Sequence, residues 1–397
     1  MLGCRKKSLI RKAWRRRVKP PEAPRCLSQN TATAANCTAQ QGNSTAFAVQ
    51  IQSQNGIPSG PSLHTILGNQ SALKTSALSI LNQLKVSELE SLNAALEAGG
   101  AGPCVLVPNR DVLVGGVAPL SPAFLSLAVW RWPDLPLDAT LRPVPPCTPD
   151  LTQACINPYH SAICCATQSD SPPPPYRERP SPHDRLHPRS DEDDLTSSKF
   201  SQSSRYESQE TGGRVPTSGW CSVRYWEKST RVGAAFEVAS DSVSVVGSSA
   251  SLTVHSGLCL NLLSASLSNT SQEALKIKNK IGPGILICRE DSEVWLYNQS
   301  NVDVFVSSPA LPESIEDTSR FDSPSVRKIK PGHTLKIFSF DLVDSLSRIS
   351  AKRSRLCGRV DVFCVNVSFC KGFGSSYKRR EITACPCWLQ LHLEPPR

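Results

Sequence analysis

VDVFCVNVSF (360–369) and CWLQLHL (387–393) are the runs on which the fold turns. Apolar residues alternate over most of the first, and Leu389, Leu391 and Leu393 share one face of the second. That period of two marks half-buried β-strands. The same kind of pattern recurs upstream in DSVSVV (241–246), VWLYN (294–298), VDVFVSS (302–308) and TLKIFSF (334–340), whereas helical matter is confined to about 270–280 and 341–350. Residues 219–397 therefore read as a mostly antiparallel β-sandwich with helical appendages.

N-terminal to this region the character changes twice. Residues 169–218 are rich in Ser, Pro, Arg and Asp and include SDSPPPPYRERPSP (169–182) and DEDD (191–194). Such a stretch is too long for an internal loop of a compact domain and reads as a linker. Before it, residues 71–168 carry a small α+β pattern. Leu73, Ala77, Ile80, Leu81 and Leu84 lie on one helical face. SELE (87–90) predicts a capping box opening a second helix striped by Leu89, Leu92 and Leu96, which Gly99-Gly100 ends. CVLVP (104–108) predicts a short strand, and VWRWPDL (129–135) follows a Pro- and Leu-rich connection. Residues 21–70 are polar and without period, and read as a disordered linker.

The net charge of +10 is concentrated at one end. The first 20 residues hold nine Lys or Arg and no acid, leaving about +1 for the other 377. Basicity is thus a property of a 1–20 tail, which suits nuclear localisation, RNA or an acidic membrane surface. Leu2, Leu9, Ile10 and Trp14 fall near helical spacing, so the tail reads as either a solvated arm or an amphipathic basic helix. Sixteen cysteines and six N-x-S/T sequons suggest secretion, but no apolar signal-peptide core opens the chain. The expectation is an intracellular protein with thiols reduced or metal-bound and no transmembrane segment.

Four residues in the small lobe have metal-ligand chemistry: Cys104, Cys147, Cys155 and His160, the last two within ACINPYH. Structural zinc takes four such ligands in a tetrahedron. Cys164 and Cys165 compete for any place, and buried free thiols are the alternative. CPCW (385–388) has the wrong spacing for a redox pair and reads as core. FCKGFGSSYKRRE (369–381) predicts a protruding basic loop without a Walker ending. In LKIKNKIGPG (275–284), Lys276 and Lys280 share a helix face. The seven histidines are scattered and no catalytic motif occurs, so no enzyme is expected. The four prolines of 172–175 favour polyproline II, suited to a WW groove, with linker filler as the rival reading.

These pieces resemble a known family. GWCSVRYWEKSTRVG (219–233), KIGPGILICRE (280–290), VWLYNQS (294–300) and the KGFG…CPCWLQLHL ending are similar to the C-terminal Mad-homology domain of Smad proteins; VWRWPDL and CINPYH resemble the N-terminal one. The chain is identified as an inhibitory Smad of TGF-β/BMP signalling on four features. MLGCRKKSLIRKAWRRR is similar to the basic N-terminus of that subgroup. CVLVPNRDVLVGG followed by SPAFLSL lacks the basic DNA-reading hairpin, with Gly115, Gly116, Val117 and Ala118 where cations would stand. No serine closes the HLEPPR end. PPPPY follows the small lobe.

The resemblance implies one structural Zn2+ on Cys104, Cys147, Cys155 and His160. It implies a basic groove of Lys276, Lys280, Lys371 and Arg379 that meets activated type I receptors and excludes receptor-activated Smads. It also implies a PPxY motif (Pro173, Pro174, Tyr176) recruiting WW-domain HECT E3 ubiquitin ligases, contacts with other Smads and transcriptional cofactors, weak or absent DNA binding, and residence in cytoplasm and nucleus. The alternative is a DNA-binding transcriptional Smad. Phe373 in place of the family's Trp, and Arg380-Glu381 in place of Gln-Phe, alter the packing and charge of the basic loop.

Overall fold

The computed structural model describes residues 2–19, 70–100, 102–115, 117–165, 219–248, 257–264, 271–311, 326–343 and 361–395. The PPxY stretch and most of the helix expected over 341–350 lie outside the described residues.

The first unit begins with the expected basic tail, and that segment is a structural helix. α1 (Leu2–Arg15) packs against α2 (Gln70–Gln83) and α3 (Val86–Ala98). Ile10 and Ala13 are buried, and Leu9 and Trp14 line the same core. The buried Asn93 amide donates to Leu9 O at 3.2 Å, and the Trp130 indole donates to Ala13 O at 3.0 Å. Arg5 pairs with Glu90, and Lys12 and Arg16 pair with Glu97, whose carboxyl those two cations hold below its usual range. The half-apolar face of α1 is thus spent on the domain, which removes the reading as a solvated arm.

The start of α3 also departs from expectation. The helix opens at Val86, and Glu88 accepts from the Lys85 backbone N–H at 2.7 Å, two residues ahead of the expected Ser87 cap. Gly99 ends it as expected. β1 (Leu106–Pro108) is followed by the hairpin β2 (Val112–Val114) and β3 (Val117–Leu120), and then by α4 (Pro122–Trp130). α4 occupies what read as a connection. Ser121 caps it, accepting from Phe124 N at 3.2 Å, and Pro122 sits at its first turn. Eight of its nine residues are buried, so no polar face exists to reveal a helical period. β4 (Leu141–Pro143), β5 (Gln153–Cys155, paired with β1) and β6 (Ser161–Cys164) complete the lobe.

The second unit is the expected sandwich. Its elements are β7 (Cys221–Glu227), β8 (Thr230–Val238), β9 (Ser242–Val246), β10 (Gly257–Cys259), α5 (Leu260–Ser264), α6 (Gln272–Ile281), β11 (Ile285–Glu290), β12 (Glu293–Asn298), β13 (Val304–Ser307), β14 (Val326–Ile329), β15 (His333–Ser339), β16 (Cys364–Phe369) and β17 (Trp388–Leu393). One sheet has the order β14-β13-β16-β17-β7-β8. Leu389, Leu391 and Leu393 turn inward against Val223, Tyr225, Ile287 and Leu296, as their alternation predicts. The Asn298 sequon is a chance match, since that side chain is buried and donates to Val302 O and Ile329 O.

The other sheet has the order β10-β9-β11-β12-β15-β6-β4, and its last two strands come from the small lobe. β6 lies parallel to β15, with Ile163 N donating to Gly332 O and Cys165 N to Thr334 O. The two units therefore share a sheet, which nothing in the sequence announced. Among the described residues, no helix is long and apolar enough to cross a membrane.

Candidate metal centre and basic face

The four expected metal ligands converge. Cys104 precedes β1, Cys147 follows β4, Cys155 ends β5, and His160 stands directly before β6. Cys104 Sγ lies 3.6 Å from Cys147 Sγ and 3.4 Å from His160 Nδ1, Cys155 Sγ lies 3.7 Å from Nδ1, and all four ligand atoms fall within 4.8 Å of one another. A tetrahedral zinc with metal–sulfur bonds of about 2.3 Å places its ligand atoms about 3.5–3.8 Å apart. The donor set and these three distances fit that ion.

The Asn157-Pro158 turn brings Cys155 and His160 together. Asn157 is fully buried; its Oδ1 accepts from Tyr159 N, its amide donates to Pro103 O, and that amide nitrogen lies 3.3 Å from His160 Nε2. Arg131 of VWRWPDL donates to Pro158 O and Ser161 O at 2.9 and 3.1 Å while stacking on Trp132 and Tyr159. Burial pulls its pKa down to about 10. Within the cluster the hydrogen bond from Cys147 depresses Cys155 to about 4 and raises Cys147 itself; desolvation raises Cys104. Cys164 and Cys165 lie on and after β6, outside the cluster.

The basic residues sit on α6 and the loop before β17. Ser271 caps α6, accepting from Ala274 N at 3.1 Å. Lys276 and Lys280 are exposed, on the face that carries Glu273. Glu273 reaches Arg379 at 3.5 Å and Lys228 at 3.9 Å, so the helix and the loop meet there. Lys371 is half-buried at the foot of the loop, its carbonyl accepting from Ser368 Oγ at 2.8 Å. Phe373 plugs a cluster with Phe305, Cys385 and Trp388. Gly372 is required because the Tyr377 ring lies 2.3 Å from where a Cβ would stand. Cys385 and Cys387 are both fully buried, in two different clusters, consistent with a core role and not a redox pair.

One buried ion pair escaped the sequence. Lys278, which looks like part of the same charged run, is 1% exposed and donates to Glu227 Oε1 at 2.8 Å. That oxygen also accepts from Tyr225 OH and Ser264 Oγ, both at 3.0 Å. The hub pins α6, and with it Lys276 and Lys280, to β7 and α5. The place of Lys278 midway between exposed lysines was the available signal, since a helix turns position 278 inward when 276 and 280 face out.

The β2–β3 hairpin presents Leu113, 71% exposed, and no cation between Val112 and Leu120. A hairpin without cations cannot displace the counterions of a phosphate backbone.

Comparison with known proteins follows this division. An MH1 domain model matches residues 73–165 and an MH2 domain model matches residues 218–394. Mothers against decapentaplegic homolog 6 of Gallus gallus is 35% identical over 345 residues, covering 82% of this chain and 76% of that protein. Mothers against decapentaplegic homolog 7 of Rattus norvegicus is 34% identical over 355 residues, covering 82% and 79%. Dwarfin sma-3 of Caenorhabditis elegans is 26% identical over 297 residues, covering 69% and 73%. With both domains in place and relatives of this likeness spanning four-fifths of its length, the chain belongs to the Smad family, among the inhibitory Smads of TGF-β/BMP signalling.

Proposed function

We propose that the protein is a non-enzymatic antagonist that occupies the activated type I receptor through the α6–loop face and so excludes receptor-activated Smads. The observation that carries this reading is the junction at Glu273. It holds Arg379 and Lys228 beside the helix face from which Lys276 and Lys280 project, and the buried Lys278–Glu227 hub keeps that helix in place. Clustered cations of this kind recognise phosphorylated, acidic segments by charge-assisted hydrogen bonds. Pro173, Pro174 and Tyr176 recruit a WW-domain HECT ubiquitin ligase to the receptor, and the protein works in cytoplasm and nucleus with other Smads and transcriptional cofactors. Zn2+ held by Cys104, Cys147, Cys155 and His160 supplies cross-linking of a lobe with a small core. A DNA-binding role is the weaker reading, opposed by the cation-free hairpin.

Lys276→Glu with Lys280→Glu is the direct test, because both side chains are exposed and their loss leaves the core intact. Capture by phosphorylated type I receptor should fall at least about tenfold, with thermal stability unchanged. Undiminished capture refutes the face. Tyr176→Ala should abolish ligase binding and spare receptor binding; retention of the ligase removes the PPxY motif from the account.

A further inference from the structure

The β4–β6 hairpin belongs to the first unit by chain and to the second by hydrogen bonding. β6 continues the second unit's sheet beyond β15, and β4 closes the edge. Arg142 of β4 donates to Tyr297 OH at 2.9 Å, pairs with Glu290, and lies 3.9 Å above the Trp295 ring. Val144 and Ala162 fill a small apolar cluster with Leu286, Cys288 and Tyr297. Beside it the turn before β15 fits under VWRWPDL. Gly332 has φ +75°, and a Cβ there would stand 2.2 Å from Trp132 and 2.8 Å from Arg131. Trp132 also meets His333 edge-on at 6.2 Å.

Two of the expected metal ligands bracket the connection between these strands. Cys147 follows β4 by four residues, and His160 immediately precedes β6. Between the two strands only Val144, Cys147, Ala154, Cys155 and Ile156 are buried hydrophobics, too little core to define a loop of this length without a cross-link. We propose that the metal centre governs docking of the two units: with the ion bound, the hairpin is held in register against β15, and loss of the ion frees the hairpin and uncovers that edge of the second sheet. The inference rests on reading the Cys/His cluster as a metal site. Arg131 supplies a second tie to the same loop, at Pro158 and Ser161, so metal loss loosens the hairpin without dissolving the helices beneath it. Cys104 is exposed, which gives chelators and thiol reagents a route to the cluster. An uncovered β15 presents unpaired backbone groups, the template on which another strand can add.

The test uses the full chain, with bound zinc counted and hydrogen exchange read residue by residue before and after chelation. The amides of Ile163 and Cys165, which donate across the seam, should exchange at least about tenfold faster once zinc is stripped. Val367 and Leu389, in the other sheet, should not change. Arg142→Ala should accelerate the same two amides with zinc content unaltered, since Arg142 touches no ligand. Zinc bound and removed with no change at Ile163 and Cys165 overturns the coupling and leaves the metal reading standing. Absence of bound zinc after supplementation overturns both. Acceleration that extends equally through Leu89 and Asn93 means that the first unit unfolds as a whole, and overturns a local gate.

Discussion

Lys278→Met isolates the hub that positions the basic face. Methionine matches the length of the lysine stem, so no cavity opens; what disappears is the cation opposite Glu227. That carboxylate is 8% exposed and, among the described residues, keeps the Tyr225 and Ser264 hydroxyls, both on Oε1. Breaking one side of a buried pair costs about 3–5 kcal/mol, because the remaining charge is uncompensated. For a unit of this size that lowers Tm by roughly 6–20 °C. Adding Glu227→Gln removes the stranded charge while keeping an acceptor for both hydroxyls, and should recover at least about half of the loss, a coupling that a double-mutant cycle reads directly. The assay is denaturation of the full chain followed by near-ultraviolet circular dichroism, to which the Trp226–Trp388 pair, stacked at 5.3 Å and 9°, contributes a signal from the second unit. A single-variant loss below about 1 kcal/mol, the range of exposed pairs, or strict additivity in the double variant, refutes the hub.

Two further predictions concern the rest of the fold. Ile10→Asp places a carboxylate in the α1 contact and should destabilise the first unit by at least about 3 kcal/mol, seen as rapid tryptic cleavage within residues 5–19. The neighbouring exposed Lys7→Asp should stay within about 0.5 kcal/mol, and equal sensitivity of the two would mean that α1 is not docked. In the second unit, burial pushes the thiols of Cys221, Cys288 and Cys387 from 9.0 up to about 12. The folded chain keeps these protons while the unfolded chain releases them above pH 9, so the stability they contribute is complete below pH 9 and lost as pH rises toward 12. Denaturation midpoints should fall over that window, and less steeply when all three are alanine; an unchanged slope contradicts the assignment.

How much of this was readable follows from where the partners lie. Strand alternation at 387–393 suffices for the sandwich because side-chain period and burial coincide locally. The four residues of the Cys/His cluster are recognisable as a set through family resemblance, since Cys104 and Cys147 lie 43 positions apart and spacing alone does not join them. Lys278 hid within a run that looks like a solvated face because Glu227 is 51 positions away. α1 showed its apolar stripe but not the Asn93 and Trp130 that receive it, 84 and 117 positions on. α4 gave no period because nearly every side of it is buried. The β6–β15 seam depends on a parallel ladder of backbone groups, which carries no side-chain pattern at all.

Competitive occupation of the receptor is measured most directly by phosphorylation of a receptor-activated Smad by activated type I receptor while the full chain is titrated in. Competition predicts dose-dependent loss of phosphorylation that more receptor-activated Smad reverses, and that Lys276→Glu with Lys280→Glu shifts at least about tenfold to higher concentration. Phosphorylation that persists at saturating protein, or inhibition that the charge-reversed variant delivers equally well, would contradict it.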